Sequence, residues 1–387
     1  IIMTSDQLKV EFEKIFNKQS ERIFFCPGRV NLIGEHIDYN GGKVMPCAIS
    51  MGTTVLIAKN DQNVFRFRSV DFPETGDIEL KGSYTKTGSE WFNYPLGVIH
   101  EFLLKGVQLS GMDFLFSGNL PIGSGLSSSA SIEVVTAYAL NNIFNGGMNN
   151  VELALLGKRV ENQFMGLNSG IMDQFAVAMG KEGNAVLLNC DSLDYEYLPF
   201  EIGNQVLAII NTNKPRKLVE SKYNERFAEC MTAKEKLQQK LNINHLCEVS
   251  IEEFNQNRDL INDPVIEKRA QHVISEEERV KKAKDALTSG DVKTFGELMY
   301  ASHDSLQNLY EVSGIELDTI VEFCKTYADC SGARMTGAGF GGCAIALVKK
   351  ESFNDFSEKV SKYYEEKIGY KPGVFSSVIA EGVRAIA

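Results

Sequence analysis

A glycine- and serine-rich turn that runs directly into a helix-forming segment is the feature that most constrains this chain. Residues 120–131 read Leu-Pro-Ile-Gly-Ser-Gly-Leu-Ser-Ser-Ser-Ala-Ser, and a helical pattern continues to about Phe144. Glycines let the backbone turn tightly enough for successive N–H groups to converge, and the start of a helix attracts negative charge. A Gly/Ser linker has a similar composition, but a linker does not usually start a helix. The segment therefore predicts a phosphate-binding loop.

Two familiar nucleotide-binding patterns are excluded. No Gly-Lys-Ser or Gly-Lys-Thr occurs in the 387 residues, so the chain has no P-loop motif. Gly337, Gly339 and Gly342 match the spacing G-x-G-x-x-G, but that motif must follow a strand and open a helix. Here a predicted strand, 343–348, follows the glycines. The segment 336–342 then provides either a close approach of the backbone to a ligand or a tight hairpin, and spacing alone leaves both open.

A dense polar segment, 28–42, suits a ligand that carries many hydroxyl groups. Its side chains include Arg29, Glu35, His36 and Asp38. Carboxylates accept hydrogen bonds from hydroxyls, and an imidazole can donate or accept. A solvated surface turn is the alternative, but the apolar residues in the first half of the segment indicate a loop anchored in the interior. A single histidine is more often structural than catalytic, so we assign His36 to binding.

Asp173 lies in a glycine-containing turn, 166–175, after a predicted helix that carries Glu161. An Asp after such a turn is most often a helix N-cap. If the preceding helix packs beside the phosphate loop, however, both carboxylates lie close to that loop.

Composition excludes several classes of protein. Lys and Arg number 40 against 51 Asp and Glu, a formal net charge of −11, which argues against nucleic-acid and anionic-membrane binding. No apolar run approaches the ~18 residues that span a bilayer. The amino-terminal residues are polar by Thr4 to Gln7, so we expect no secretory signal. The eight cysteines show no Cys-x-x-Cys spacing, which favours a reducing cytoplasm over a zinc module or a disulfide framework.

The mixture of helices and strands lacks strict βαβ alternation and predicts an α+β protein with two lobes. At about 150 residues per domain, the length suits two or three units. We place the lobes at residues 1–203 and 204–387.

Taken together, the three glycine-containing segments resemble those of the galactokinase family, within the GHMP superfamily of galacto-, homoserine, mevalonate and phosphomevalonate kinases. Residues 28–42 resemble its sugar motif, 120–131 the ATP motif and 336–342 the third motif, in the same order along essentially the whole chain. The resemblance implies an N-terminal mixed-sheet lobe with a left-handed βαβ crossover, a C-terminal α+β lobe and an active site in the cleft between them. Patterning alone would not suggest the left-handed crossover, which runs against the usual rule.

The resemblance also implies a reaction, the transfer of the ATP γ-phosphoryl group to the anomeric hydroxyl of D-galactose. Asp173 would be the general base and Arg29 its charge partner, because a guanidinium favours the ionised carboxylate. The implied sugar-binding residues are Glu35, His36, Ile37, Asp38, Gly170 and Tyr223. The implied ATP-binding residues are Ser69, Trp91, Gly123, Ser124, Gly125, Leu126, Ser127, Ser128 and Ser129. Ser129 and Glu161 are the implied ligands of Mg²⁺.

Two alternatives remain open. An N-acetylgalactosamine kinase would differ in the space around the C2 substituent, which the sequence does not specify. A non-catalytic sensor of galactose and ATP, acting through a protein partner, would carry a damaged serine loop, whereas residues 125–130 are intact. Mevalonate or homoserine as substrate would not call for the polar cluster at 35–38. We expect small-molecule substrates, no nucleic-acid or membrane partner, and a monomer.

Overall fold

Residues 3–215 and 219–386, which the computed structural model describes, form three β-sheets flanked by α-helices. The helices are α1 (Ser5–Phe16), α2 (Asn93–Leu104), α3 (Ser128–Ile143), α4 (Asn150–Arg159), α5 (Met172–Met179), α6 (Val219–Leu237), α7 (Ile251–Asn257), α8 (Pro264–Thr288), α9 (Val292–Ser305), α10 (Ile315–Thr326) and α11 (Phe353–Ile368). No helix in these two ranges is long and apolar enough to cross a membrane.

The strands belong to sheets of six, four and three strands, with the orders β13-β1-β3-β6-β4-β5, β10-β11-β9-β12 and β2-β7-β8. The strands are β1 (Arg22–Asn31), β2 (Lys43–Val44), β3 (Pro46–Lys59), β4 (Val64–Ser69), β5 (Gly76–Glu79), β6 (Met112–Gly118), β7 (Asn184–Asn189), β8 (Tyr195–Pro199), β9 (Gln205–Asn211), β10 (Cys330–Thr336), β11 (Cys343–Lys349), β12 (Gly373–Ser377) and β13 (Arg384–Ala385).

The six-stranded sheet is mixed, as expected. Its long central strands β1 and β3 pair antiparallel, whereas β4 and β6 pair in parallel. Parallel neighbours need a crossover connection, and α2 lies in the chain between them. The βαβ unit is therefore present, and its left-handed sense stays a prediction.

The four-stranded sheet starts at Gln205, two residues after the predicted end of the first lobe. The C-terminal residues return to the six-stranded sheet, because β13 pairs with β1. The backbone N–H of Ala380 also donates to the carbonyl of Ala48 in β3 at 2.9 Å. The division at 203/204 stays a prediction. Residues 1, 2, 216–218 and 387 of the two predicted lobes lie outside the described residues.

The helix after the glycine- and serine-rich turn is α3, which begins at Ser128 and is close to the predicted range. The helix predicted to carry Glu161 is α4, and a π-helical turn, Val160–Phe164, continues it. α3, α4 and α5 pack against one another, with α3 and α5 also lying on β1. This arrangement brings the turn before α3 and the turn before α5 to the same end of the sheet.

Candidate active site

A bulge in β1 directs Arg29 toward the turn before α3. The register between β1 and β3 shifts between Pro27 and Arg29, and such bulges re-aim side chains. Gly28 lies within the bulge, where an added Cβ would lie 2.5 Å from the carbonyl oxygen of Leu126. Glycine therefore lets the strand approach the loop closely enough for the N–H of Arg29 to donate to that carbonyl at 3.1 Å.

Arg29 and Asp173 are in contact, as the family resemblance implies. The Nε of Arg29 donates to Oδ1 of Asp173 at 2.9 Å and its Nη2 donates to Oδ2 at 2.8 Å, a bidentate ion pair. The Arg29 side chain is buried, whereas that of Asp173 is 31% exposed and so remains accessible to a substrate. Burial alone would lower the pKa of Arg29, but Asp173 and Glu35 outweigh it and raise that pKa above its usual value.

Asp173 does not cap its helix. The N-cap position of α5 is Ile171, and Asp173 lies in the first turn. The N-cap interpretation of Asp173 is therefore wrong, and its carboxylate is bound by Arg29 and by Ser127, whose Oγ donates to Oδ2 at 2.6 Å.

The loop before α3 turns through left-handed backbone conformations. Gly123, Gly125 and Ser127 have φ values of 70°, 72° and 63°. In the described part of the chain no side chain caps α3, because the hydroxyl at its N-cap position, Ser127, bonds Asp173. The first N–H groups of α3 can therefore bind an anion, which the helix dipole also favours.

A cavity of about 580 Å³ adjoins this loop. It is lined by five of the residues predicted to bind ATP: Ser69, Trp91, Gly123, Ser128 and Ser129. The other four do not line it: Ser124, Gly125, Leu126 and Ser127. The side chains of Ser124 and Leu126 are buried, and the carbonyl of Gly125 accepts a hydrogen bond from Nη1 of Arg29 at 2.8 Å.

A smaller cavity of about 110 Å³ has the ion pair in its wall. Its wall consists of Arg29, Glu35, His36, Asp38, Ser169, Gly170, Met172, Asp173, Tyr223, Gly337 and Ala338. Residues from both predicted lobes thus line it. Five of the six predicted sugar-binding residues are present. Ile37 is the exception, because its side chain is wholly buried and its carbonyl accepts the N–H of Gly42, so it shapes the loop without facing the cavity.

Carboxylates converge on the smaller cavity. Oε1 of Glu35 accepts hydrogen bonds from the N–H of Gly337 at 2.8 Å and from Arg334 at 3.3 Å. Burial raises the pKa of Glu35, although Arg334 and Arg29 oppose the shift. Burial, together with the charges of Asp173 and Glu35, raises the pKa of Asp38 to about 7. Such a polar, acidic wall suits a neutral ligand with several hydroxyl groups.

His36 lies at the cavity, but both of its ring nitrogens have protein partners. Burial lowers the pKa of His36 to about 3, so the ring is neutral. The carbonyl of Ala338, 3.1 Å away, can only accept, which assigns the proton to Nε2. Nδ1 then accepts from the hydroxyl of Tyr39 at 2.9 Å. Because these bonds leave neither nitrogen for a sugar hydroxyl, His36 contributes a ring face to the wall and holds the loop 35–38 against the third glycine segment.

The third glycine segment is a hairpin, one of the two interpretations that spacing left open, and the approach of its backbone to a ligand stays a prediction. It joins the antiparallel strands β10 and β11 as a hairpin, and its Gly337 and Ala338 also line the smaller cavity. Gly337 has a φ of 83°, and an added Cβ there would lie 3.1 Å from the carbonyl oxygen of Gly125. The hairpin therefore packs against the loop before α3.

Ser129 and Glu161 are in contact, as predicted for a pair of Mg²⁺ ligands. The Oγ of Ser129 donates to Oε1 of Glu161 at 2.7 Å, and Ser169 donates to Oε2 at 2.7 Å. Burial raises the pKa of Glu161. A nearby cation would oppose this shift, because it favours the ionised carboxylate. Among the described residues, no three His, Cys, Asp or Glu side chains form a metal site. Mg²⁺ at phosphate sites commonly uses one or two carboxylates with phosphates and waters, so this donor pair fits an ion that arrives with ATP.

Comparisons with known proteins agree with this geometry. The galactokinase galactose-binding signature matches residues 10–59, the GHMP kinases N terminal domain matches 93–181, and the GHMP kinases C terminal domain matches 283–366. A galactokinase of Clostridium tetani is 51% identical over 99% of this chain and 98% of its own length. The chain belongs to the galactokinase family.

Solved structures extend the comparison. The galactokinase of Lactococcus lactis, solved in complex with galactose, is 43% identical, with a TM-score of 0.96 over 98% of this chain and 99% of that one. The mevalonate kinase of Methanococcus jannaschii is 23% identical, with a TM-score of 0.66 over 93% of this chain and 98% of that one, and shows the fold alone. The chain therefore has the GHMP kinase fold, with N- and C-terminal domains.

Four site residues of this galactokinase-family chain escaped sequence reasoning: Ser169, Met172, Ala338 and Arg334. The first three lie inside the segments 166–175 and 336–342, next to Gly170, Asp173 and Gly337, so assigning the immediate neighbours of those residues would have found them. No local signal identifies Arg334, because its partner Glu35 lies 299 positions earlier in the chain.

Proposed function

We propose that this protein transfers the γ-phosphoryl group of ATP to the anomeric hydroxyl of D-galactose, giving galactose 1-phosphate and ADP. The observation that carries the proposal is the position of the Arg29–Asp173 pair. It lies between a small polar cavity and a loop whose backbone amides can bind phosphate. The names of the relatives, galactokinases that align over almost the whole chain, support the same reaction.

Asp173 is the general base in this proposal. Its partly exposed carboxylate accepts the proton of the anomeric hydroxyl as that oxygen attacks the γ-phosphorus. Arg29 holds the carboxylate through both guanidinium bonds, and Ser127 adds a third donor on Oδ2. Phosphoryl transfer depends mainly on in-line positioning and on balancing charge. The Arg29 guanidinium supplies such a charge beside the hydroxyl as it becomes an alkoxide.

The N-terminus of α3 holds the phosphates. Within the described residues its first turn has no side-chain cap, and Ser128 and Ser129 in that turn line the larger cavity. Ser129 and Glu161 would hold Mg²⁺, which neutralises phosphate charge when bound. Trp91 and Ser69 are distant from the phosphate loop in sequence but line the same cavity. This shared cavity supports their assignment to the nucleotide.

The sugar occupies the smaller cavity. Glu35 and Asp38 offer acceptors to its hydroxyls, and Tyr223 and Gly170 complete the wall. The hydroxyl groups of a hexose match this polar lining. An apolar ligand would bury the carboxylates without hydrogen bonds, and a strongly anionic ligand would be repelled by them. A monomeric state and a cytoplasmic location remain our predictions.

ADP release, measured in a coupled assay with galactose, N-acetylgalactosamine, glucose or no sugar, tests the proposal. We expect rapid release with galactose and little with the other three. Faster turnover of N-acetylgalactosamine would reassign the substrate. Sugar and ATP binding without ADP release would identify a sensor. Release that does not depend on sugar would overturn the proposed acceptor.

A further inference from the structure

A buried acid–amide pair joins the helix of the phosphate loop to the helix of the base. Glu133 on α3 and Gln174 on α5 are both wholly buried. Nε2 of Gln174 donates to Oε2 of Glu133 at 3.0 Å. Gln174 directly follows Asp173, and Glu133 lies four residues after Ser129. No step of the proposed reaction uses either side chain.

The second half of this pair is unsatisfied if Glu133 is ionised. Oε1 of Glu133 and Oε1 of Gln174 are both buried and, within the described structure, neither has a hydrogen-bond partner. An ionised carboxylate has only acceptors, as has the amide oxygen, so the two atoms could not bond each other. Unpaired buried polar atoms are rare and costly in folded proteins.

We propose that Glu133 is a protonated, neutral positioning residue that forms a closed pair with Gln174. The amide N–H donates to Oε2, and the acid O–H on Oε1 donates to the amide oxygen. One proton thus satisfies both orphaned atoms.

The surroundings agree with a neutral acid. Burial raises the pKa of Glu133 well above its usual value, and the charges of Glu161 and Asp173 raise it further, while the bond from Gln174 only partly opposes the shift. A neutral Glu133 adds no negative charge beside those two carboxylates.

The pair fixes Asp173 relative to the phosphate loop. A closed pair has two hydrogen bonds in one plane, so it restrains both the spacing of α3 and α5 and their rotation. Gly157 on α4 makes room for it, since an added Cβ there would lie 2.9 Å from Cγ of Gln174. This functional consequence rests on the proposed role of Asp173, whereas the protonation state does not.

Infrared difference spectra of protein with ¹³C-labelled glutamate test the protonation state without any turnover. At pH about 8, far above the ordinary glutamate pKa of about 4.3, we expect Glu133→Gln to lose a protonated-carboxyl band. Glu358→Gln, at an exposed position on α11, is the matched control and should lose only carboxylate bands. Loss of carboxylate bands in Glu133→Gln would overturn the proposal.

Kinetics test the positioning role. Gln174→Met removes the amide at similar volume, and we expect kcat to fall about 10- to 100-fold with both KM values within about threefold, because small misplacements slow chemistry more than binding. An unchanged kcat would overturn the positioning role. In Glu133→Gln the pH at half-maximal kcat should not move, since no charge is lost. A move of that midpoint to lower pH would show that Glu133 was ionised, and this readout stands even if Gln174→Met fails to fold.

Discussion

Asp173 has three donors on its two oxygens and still presents 31% of its side chain to the cavity. That combination suits a base that must be held in place and yet reach a substrate. General-base assistance typically contributes ~10²–10⁴-fold, so Asp173→Asn should lower kcat by at least ~10²-fold. The coupled assay measures the loss, and thermal unfolding checks that the variant is folded. Asp61→Asn, at an exposed bend, is the control. A folded Asp173→Asn variant with normal kcat would remove Asp173 from the role.

Asp38 gives the free protein a pH dependence with a definite sign. Its pKa is raised to about 7 in the fold by burial and by neighbouring carboxylates. The unfolded chain therefore releases this proton first, and the stability contributed by Asp38 is lost as pH rises from about 4 to about 7. We expect Asp38→Asn to match the wild-type Tm near pH 4 and to exceed it near pH 8 in the absence of sugar. A difference in Tm that does not vary with pH would contradict the shift.

At the scale of elements, the turn before α5 and the loop before β2 meet at Gly170. An added Cβ there would lie 1.9 Å from Oδ2 of Asp38, closer than any real contact. Gly170→Ala must therefore displace Asp38 from the cavity. We expect the KM for galactose to rise at least tenfold, about 1.4 kcal/mol, while the KM for ATP stays within about twofold. Gly82→Ala, where nothing lies within 4 Å of the added atom, is the control. Equal changes in both KM values would indicate a general structural defect.

What could be predicted from sequence follows the range of the interactions involved. α3 and the turn before it are specified locally, by glycines and then a helical pattern, and the prediction matches the structure closely. The contact between Arg29 and Asp173 was predicted from the family resemblance and is confirmed. The hydrogen bonds of His36 to Tyr39 and Ala338 could not be predicted from the sequence, because Ala338 lies 302 positions away. The buried position of Glu133 was not predicted either, because a charged residue in a helical pattern indicates an exposed face.

On the scale of the whole molecule, hydrogen bonds join the two halves of the chain beside the sugar cavity. The hairpin β10–β11 donates to Glu35 through Gly337, accepts from His36 at Ala338, and bonds β1 through Thr336. β13 adds a second crossing, because it pairs with β1 from the other end of the chain. Both faces of the sugar cavity are thus tied directly to each other, and we expect the chain to unfold as one cooperative unit.

Thr336 provides the test of that cooperativity. Its buried Oγ1 accepts the N–H of Asn31 at 2.8 Å and donates to the carbonyl of the same residue at 3.2 Å. Thr336→Val leaves that N–H without this acceptor, which should cost about 1–3 kcal/mol in the free energy of unfolding. Urea titrations followed by fluorescence and by circular dichroism should give one shared transition, shifted to lower urea. Thr85→Val, at an exposed position, should leave the midpoint unchanged. If the two probes separate in Thr336→Val, or already do so in the wild type, the halves unfold independently and these contacts do not couple them.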